Sequence, residues 1–425
     1  MTPEISTLAN GLRVVTTVVP LSEAAVTRLT IGVGARHETR ETNGASHFLE
    51  HILFKGTEQR PSETAIAAAI ESLGGSLNAA TGREITYYWN RLPCDHVTTG
   101  IEVVADQIRG SRFESGAIDR EKKVVGQEMR RRHDQPGSWA ARLAGRGLFG
   151  DHPLGWDILG TSESLAGLDG DRLRGHVASW YVPGNMVLSV AGRIDPHEVV
   201  AAAERWFGDM EPREVDAAVP SPTAQPAERV VVDERPLEQA SLVLAMPGIA
   251  HRDPDRYAEV ILDDVLGGGM SARLFREVRE KRGLCYSVSS DFDRMADAGT
   301  FSVASGVARE RLLETIEVVL DMLDDLARNP VPEDELARSR EHAVGGFRLA
   351  WETSASLAAR ASQLLTLGEI EPIDDVAARL RAVTADDVLR VARRLFRRER
   401  VIATVVGPFD DDGAIRGLLG TGETP

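Results

Sequence analysis

His47, Glu50 and His51 fall within five residues, in the run His47-Phe-Leu-Glu-His51. On an α-helix, positions i and i+4 lie one turn apart on one face, so both imidazoles can reach a single ion. Glu50, three residues after His47, points to the same side. A catalytic zinc takes three protein ligands and keeps a fourth position for water. The two histidines would be two of those ligands, and Glu50 the base that takes a proton from the metal-bound water. A helix end carrying ordinary, hydrogen-bonded histidines is the alternative that the pentapeptide leaves open.

The third ligand must come from another element. Glu121-Lys-Lys-Val-Val-Gly-Gln-Glu128 offers two carboxylates seven residues apart, two turns along nearly the same helix face. One can bind metal while the other hydrogen-bonds to a ligand and orients it. Ordinary decoration of a charged helix is the alternative. Read alone, Gly74-Gly75 and Asn78 make a turn, and Arg279 and Tyr286 are a surface and a core residue. The triglycine 267–269 lacks the lysine spacing of a phosphate loop.

Extended to His47-Phe-Leu-Glu-His51-Ile-Leu-Phe-Lys-Gly-Thr57, the motif resembles that of the inverzincins of the pitrilysin/insulinase superfamily. It is similar in particular to bacterial peptidases related to mitochondrial processing peptidase. In that family a glutamate follows the motif after about 76 residues, and 76 residues separate His51 from Glu128. A second family glutamate stands seven earlier, which is Glu121 here. The resemblance therefore implies one Zn²⁺ per chain on His47, His51 and Glu128, with Glu121 in support. It covers nearly the whole chain.

Gly74-Gly-Ser-Leu-Asn-Ala-Ala-Thr81 resembles the family's substrate edge, where Asn78 and the backbone of Ala79, Ala80 and Thr81 would hold an extended peptide by strand pairing. Gly155-Trp-Asp-Ile-Leu-Gly160 and Tyr181-Val-Pro-Gly-Asn-Met-Val187 are also similar to family segments. Leu266-Gly-Gly-Gly-Met-Ser-Ala-Arg-Leu-Phe275 and Arg279-Glu-Lys-Arg-Gly-Leu-Cys-Tyr286 resemble its C-terminal signature. There the resemblance implies that Arg279 contacts substrate and that the Tyr286 hydroxyl donates to the oxyanion. Some members split the zinc motif and the Arg–Tyr pair between two subunits. This chain carries both, which implies a self-sufficient zinc endopeptidase, a homodimer by resemblance, cleaving unfolded or presequence-like peptides in a closed chamber. The alternative from another class is a non-catalytic peptide-binding or scaffold subunit, similar to the core subunits of respiratory complex III. Such members lack parts of the motif.

The elements that must position these residues emerge from periodicity. Each half of the chain opens on β-rich segments, 12–19 and 26–33 in the first and 229–233 and 240–245 in the second. An apolar helix ending at glycine follows in both, 47–56 and 260–269, with Val260 and Asp264 standing where the first half has histidines. Ser62 caps a helix to Leu73, Asp119 to Arg132 is helical, Thr384 opens a helix to Arg394, and Glu84–Arg91 and Asn185–Gly192 are strands. The fold class is α+β: two homologous domains, each a mostly antiparallel sheet covered by helices, closing as a clamshell. The expected boundaries are a zinc-binding domain at 1–211, a proline-rich linker at 212–228 and a metal-free domain at 229–425.

Composition narrows the functions. A chain of 425 residues exceeds one ordinary core. A net charge of −16 argues against nucleic acid as a partner. No apolar run approaches the ~18 residues needed to cross a bilayer, and the first residues lack the basic and apolar regions of a secretory signal. No membrane partner and a cytoplasmic location are therefore expected. Two distant cysteines, Cys94 and Cys285, make neither a disulfide framework nor a cysteine zinc site.

Overall fold

Val- and Thr-rich runs alternate with segments of helical period along the chain, and each takes the element its period demands. The computed structural model describes residues 2–222 and 228–420. The first sheet contains β1 (Glu4–Thr7), β2 (Arg13–Val18), β3 (Ala24–Ile31), β4 (Ser76–Thr81), β5 (Thr86–Pro93) and β6 (Met186–Gly192), in the spatial order β1-β2-β6-β3-β5-β4. The second contains β7 (Val230–Glu234), β8 (Gln239–Pro247), β9 (Cys285–Arg294), β10 (Gly299–Ala308) and β11 (Ile402–Gly407), in the order β7-β11-β8-β10-β9.

Leaving out β1, the two sheets follow one plan. The β2–β6 and β7–β11 pairs are parallel. Every later pairing is antiparallel. The chain also visits the five positions in the same order each time. The internal repeat suggested by the β-rich openings of the two halves is therefore a repeat of topology, and the architecture is the expected one of two mostly antiparallel sheets covered by helices.

Between β3 and β4 lie α1 (Ala45–Ile52) and α2 (Glu63–Glu71); between β5 and β6 lie α3 (Val97–Gly110), α4 (Ser115–His133) and α5 (Pro136–Phe149). The caps read from sequence are in place. Ser62 accepts from Ala65 N at 3.2 Å and Thr384 from Asp387 N at 3.1 Å, each worth about 1 kcal/mol.

The central strands are apolar on both faces, so both must be covered. In β8, Leu242, Leu244 and Met246 join a core with helices Arg256–Gly267, Leu312–Arg328 and Ala385–Leu395. Val243 and Ala245, on the opposite face, pack instead on Ala140, Ala144 and Leu148 of α5. The first sheet shows the reciprocal arrangement: Val15, Val187, Val26 and Ala191 pack on Leu357, Ala358, Ala361 and Leu364. Each fully buried Val, Leu or Met contributes roughly 1.5–3 kcal/mol.

The compact units differ from the expected contiguous boundaries. One compact unit comprises 1–129, 156–219 and 349–372; the other comprises 130–155, 220–348 and 373–425. An amphipathic stripe records that a helix must cover a sheet but not which sheet, so sequence alone does not assign 130–155 and 349–372 to one unit or the other. The linker expected at 212–228 is divided at 219 and 220, and its residues 223–227, Pro226 among them, lie outside the described residues. Among the described residues no helix is long and apolar enough to cross a membrane.

Candidate metal centre

α1 is only eight residues long, below the length at which helices persist alone, so its surroundings must hold it. Phe48, Leu49 and Ile52 anchor it in the core of the first unit. Its first backbone N–H groups have no partner within the helix, and its N-cap is Gly44, which has no side chain to offer. The buried Glu38 serves instead: Oε2 accepts from Gly44 N at 2.7 Å and Oε1 from Ser46 N at 2.8 Å. Burial pushes the Glu38 carboxyl up, and these hydrogen bonds with that of Asn43 pull it back. Gly44 has φ 92°, and a Cβ there would lie 2.7 Å from the Leu159 carbonyl oxygen. Glycine is thus required, and the segment at 155–160 acts as the wall behind the motif helix.

The imidazoles of His47 and His51 leave this helix with ring centroids 4.8 Å apart. From α4, Glu128 brings Oε2 to 3.5 Å from His47 Nε2 and 3.7 Å from His51 Nε2. The donor atoms of the three residues lie within 4.8 Å of one another. Bonds of ~2.0–2.1 Å in a tetrahedral zinc site set neighbouring donors roughly 3.3 Å apart. Two imidazoles and one carboxylate are also a donor set that suits zinc. The residues fit the ion that the resemblance implies.

Seven residues before Glu128, Glu121 is buried, and its Oε2 accepts from His51 Nδ1 at 3.1 Å. A carboxylate only accepts, so His51 Nδ1 carries a proton toward Glu121, and Nε2 is the nitrogen turned to Glu128. Glu50, half-buried on the same turn, has its carboxyl pushed up by burial. A hydrogen bond from the Thr81 side chain and the charge of His51 oppose that shift, and the nearby Glu128 reinforces it.

Thr81 ends β4, the edge strand of the first sheet. Along that strand Asn78 is exposed, with Oδ1 accepting from Ala79 N at 2.9 Å, while Ala79 is buried and Ala80 partly so. The structure thus brings His47, Glu50, His51, Glu121 and Glu128 together and ties the strand of Asn78 to Thr81 to that group through Thr81. The role of Glu38 in holding α1, and the hydrogen bond that Thr81 Oγ1 donates to Ser46 O at 3.4 Å, were not read from sequence. Neither leaves a local signal, because Glu38 lies outside the helix it caps.

Arg279 and Tyr286 lie in the second unit. Arg279 belongs to a π-helical turn, Phe275–Lys281, and its guanidinium stacks 4.8 Å from the Phe275 ring centroid and 4.9 Å from that of Tyr286. Tyr286 is 79% exposed at the start of β9, so it is not a core residue. In the helix that repeats α1, Asp264 pairs with His342 Nδ1 at 2.5 Å. The described residues of this unit hold no donor group comparable to that of His47, His51 and Glu128.

Two family models match this architecture in chain order: "Insulinase (Peptidase family M16)" over residues 13–162 and "Peptidase M16 inactive domain" over 167–342. The chain is 37% identical over 424 residues to an uncharacterized zinc protease of Streptomyces coelicolor, covering 97% of this chain and 91% of that one. It is 34% identical over 400 residues to another from Bacillus subtilis, covering 94% and 97%. Among solved structures, a peptidase M16 inactive domain from Pseudomonas fluorescens superposes with a TM-score of 0.89 at 22% identity, over 96% of this chain and 99% of that one. A protease from Helicobacter pylori gives 0.87 at 21%, over 96% and 99%. These two likenesses show the fold. The protein belongs to the M16 peptidase family.

Proposed function

We propose that the chain is a zinc-dependent endopeptidase acting on extended peptides. The observation that carries this reading is the convergence of His47 Nε2, His51 Nε2 and Glu128 Oε2 beside Glu50. A scaffold subunit has no need of such a group, and relatives named as zinc proteases agree with the catalytic alternative. Zinc held there supplies Lewis acidity and lowers the pKa of coordinated water to about 7.

Within this reading the residues divide the work. His47, His51 and Glu128 hold the ion, and Glu121 fixes the His51 tautomer. Glu50 takes the proton of the attacking water and returns it to the leaving amine. Its burial favours this, because a carboxyl raised toward neutrality is a better proton shuttle than an exposed one. β4 binds the substrate backbone as an added strand, which selects extended chains over folded ones. Arg279 and Tyr286 have the roles that the resemblance implies, a substrate contact and an oxyanion donor.

The test is a library of quenched peptides incubated with purified protein, with and without chelator, and read by mass spectrometry. Cleavage should depend on zinc. Glu50→Gln should keep stoichiometric zinc and lose cleavage; parental turnover by that variant would refute the assignment of the base.

A further inference from the structure

Glu121 is bonded on both sides. Its Oε2 accepts from His51 Nδ1 at 3.1 Å, and its Oε1 lies 3.0 Å from the ammonium of Lys55. Lys55 stands four residues after His51, in the turn that leaves α1, where its N–H donates to Ile52 O at 2.9 Å. Its Nζ also meets Glu63 Oε2 at 2.8 Å. Glu63 is the exposed first residue of α2, whereas the Glu121 side chain is only 8% exposed.

These contacts have an electrostatic consequence. A metal-bound histidine is neutral, so His51 can donate a hydrogen bond to Glu121 but cannot balance its charge. A buried carboxylate without a counter-charge is costly. Lys55 is the cation in contact with it, and it occupies the oxygen that His51 does not use. With both oxygens engaged, the carboxylate has one orientation, and His51 Nε2 is aimed at the position facing Glu128.

We infer that Lys55 is a positioning residue of the metal centre, acting through Glu121 to hold His51 in its metal-binding orientation. The inference rests on the zinc-centre reading above. A lysine here reads as a surface residue in sequence, since its partner lies 66 positions away.

The test is zinc affinity, measured by competition with a chromophoric chelator for the full-length parent, Lys55→Met, Lys55→Arg, Glu121→Gln and the double variant Lys55→Met/Glu121→Gln. Glu121→Gln should weaken zinc binding by about 10–100-fold and Lys55→Met by about tenfold, the range for groups that orient a ligand from behind. Lys55→Arg should return to within roughly threefold of the parent, because charge and donor are restored. In the Glu121→Gln background, Lys55→Met should change affinity by less than about twofold, because neighbours acting through one contact are not additive. The visible bands of the Co²⁺-loaded protein should shift in Lys55→Met and recover in Lys55→Arg, which a merely structural lysine would not produce. If metal-free Lys55→Met is unfolded by circular dichroism, Lys55→Gln takes its place with the same expectations. Parental affinity in the charge-removing variant, or losses that multiply in the double variant, would overturn the inference while leaving the zinc centre standing. A parent that takes up no zinc would overturn the metal-centre reading itself.

Discussion

Replacing Glu38 with Gln tests how the motif helix is held. Glu38 Oε2 accepts from Gly44 N at 2.7 Å and from Asn43 Nδ2 at 3.1 Å, and Oε1 accepts from Ser46 N at 2.8 Å. Glutamine keeps one acceptor and turns the other into a donor. With its oxygen toward Gly44 and Asn43, its NH₂ meets the Ser46 N–H donor to donor. Two buried donors are then unsatisfied, at ~1–3 kcal/mol each, or ~2–6 kcal/mol in all. The opposite rotamer strands more donors. A neutral amide, however, escapes the desolvation that pushes the Glu38 carboxyl up, and that relief offsets part of the loss. The net expectation is a destabilisation of about 2–4 kcal/mol. Urea unfolding of the metal-free protein at pH 7 measures it, and a zinc titration of the same variant should show weaker binding, because His47 follows Ser46 directly. A stability within about 0.5 kcal/mol of the parent, the range of ordinary surface changes, would refute the claim that Glu38 holds the N-terminus of α1.

Acid should destabilise the fold through His176, which is buried against Ser46 Oγ at 3.3 Å and whose pKa burial lowers to about 4. The unfolded chain, with its histidine at ~6.5, binds more protons between these values. Stability is therefore full above ~6.5 and falls as pH drops toward 4, by about 2 kcal/mol at pH 5 for this residue. His176→Asn should flatten that part of the urea-midpoint profile; equal slopes for variant and parent would count against it. On the proposed role of its phenol as an oxyanion donor, Tyr286→Phe should lower kcat by about 10²–10³ with KM within roughly threefold. A change confined to KM in steady-state assays would reassign the phenol to substrate binding.

Much of the site was legible in the sequence because its parts are periodic. The one-turn spacing of His47 and His51 and the two-turn spacing of Glu121 and Glu128 each put two side chains on one helix face before any folding is known. The caps at Ser62 and Thr384 were equally local, because a hydroxyl and the N–H it serves are three residues apart. Spacing left open which glutamate binds metal. The family resemblance implies Glu128 for that role; in the structure Glu128 Oε2 lies beside the Nε2 atoms of both histidines, and Glu121 reaches the far nitrogen of His51.

Alone, the sequence determined the opening strands of each half, the motif helix and the charge and donor types of the candidate centre, because alternation, helical period and residue chemistry act over a few neighbours. Only the tertiary structure decided what holds those donors in place. Glu38 reaches into α1 from outside it, Lys55 closes on Glu121 across 66 positions, and 130–155 and 349–372 cover the sheets of the opposite halves. The physical reason is that burial and hydrogen-bond satisfaction are settled between surfaces. Any element of the right size and polarity satisfies them, so the choice among elements becomes visible only when the chain is packed.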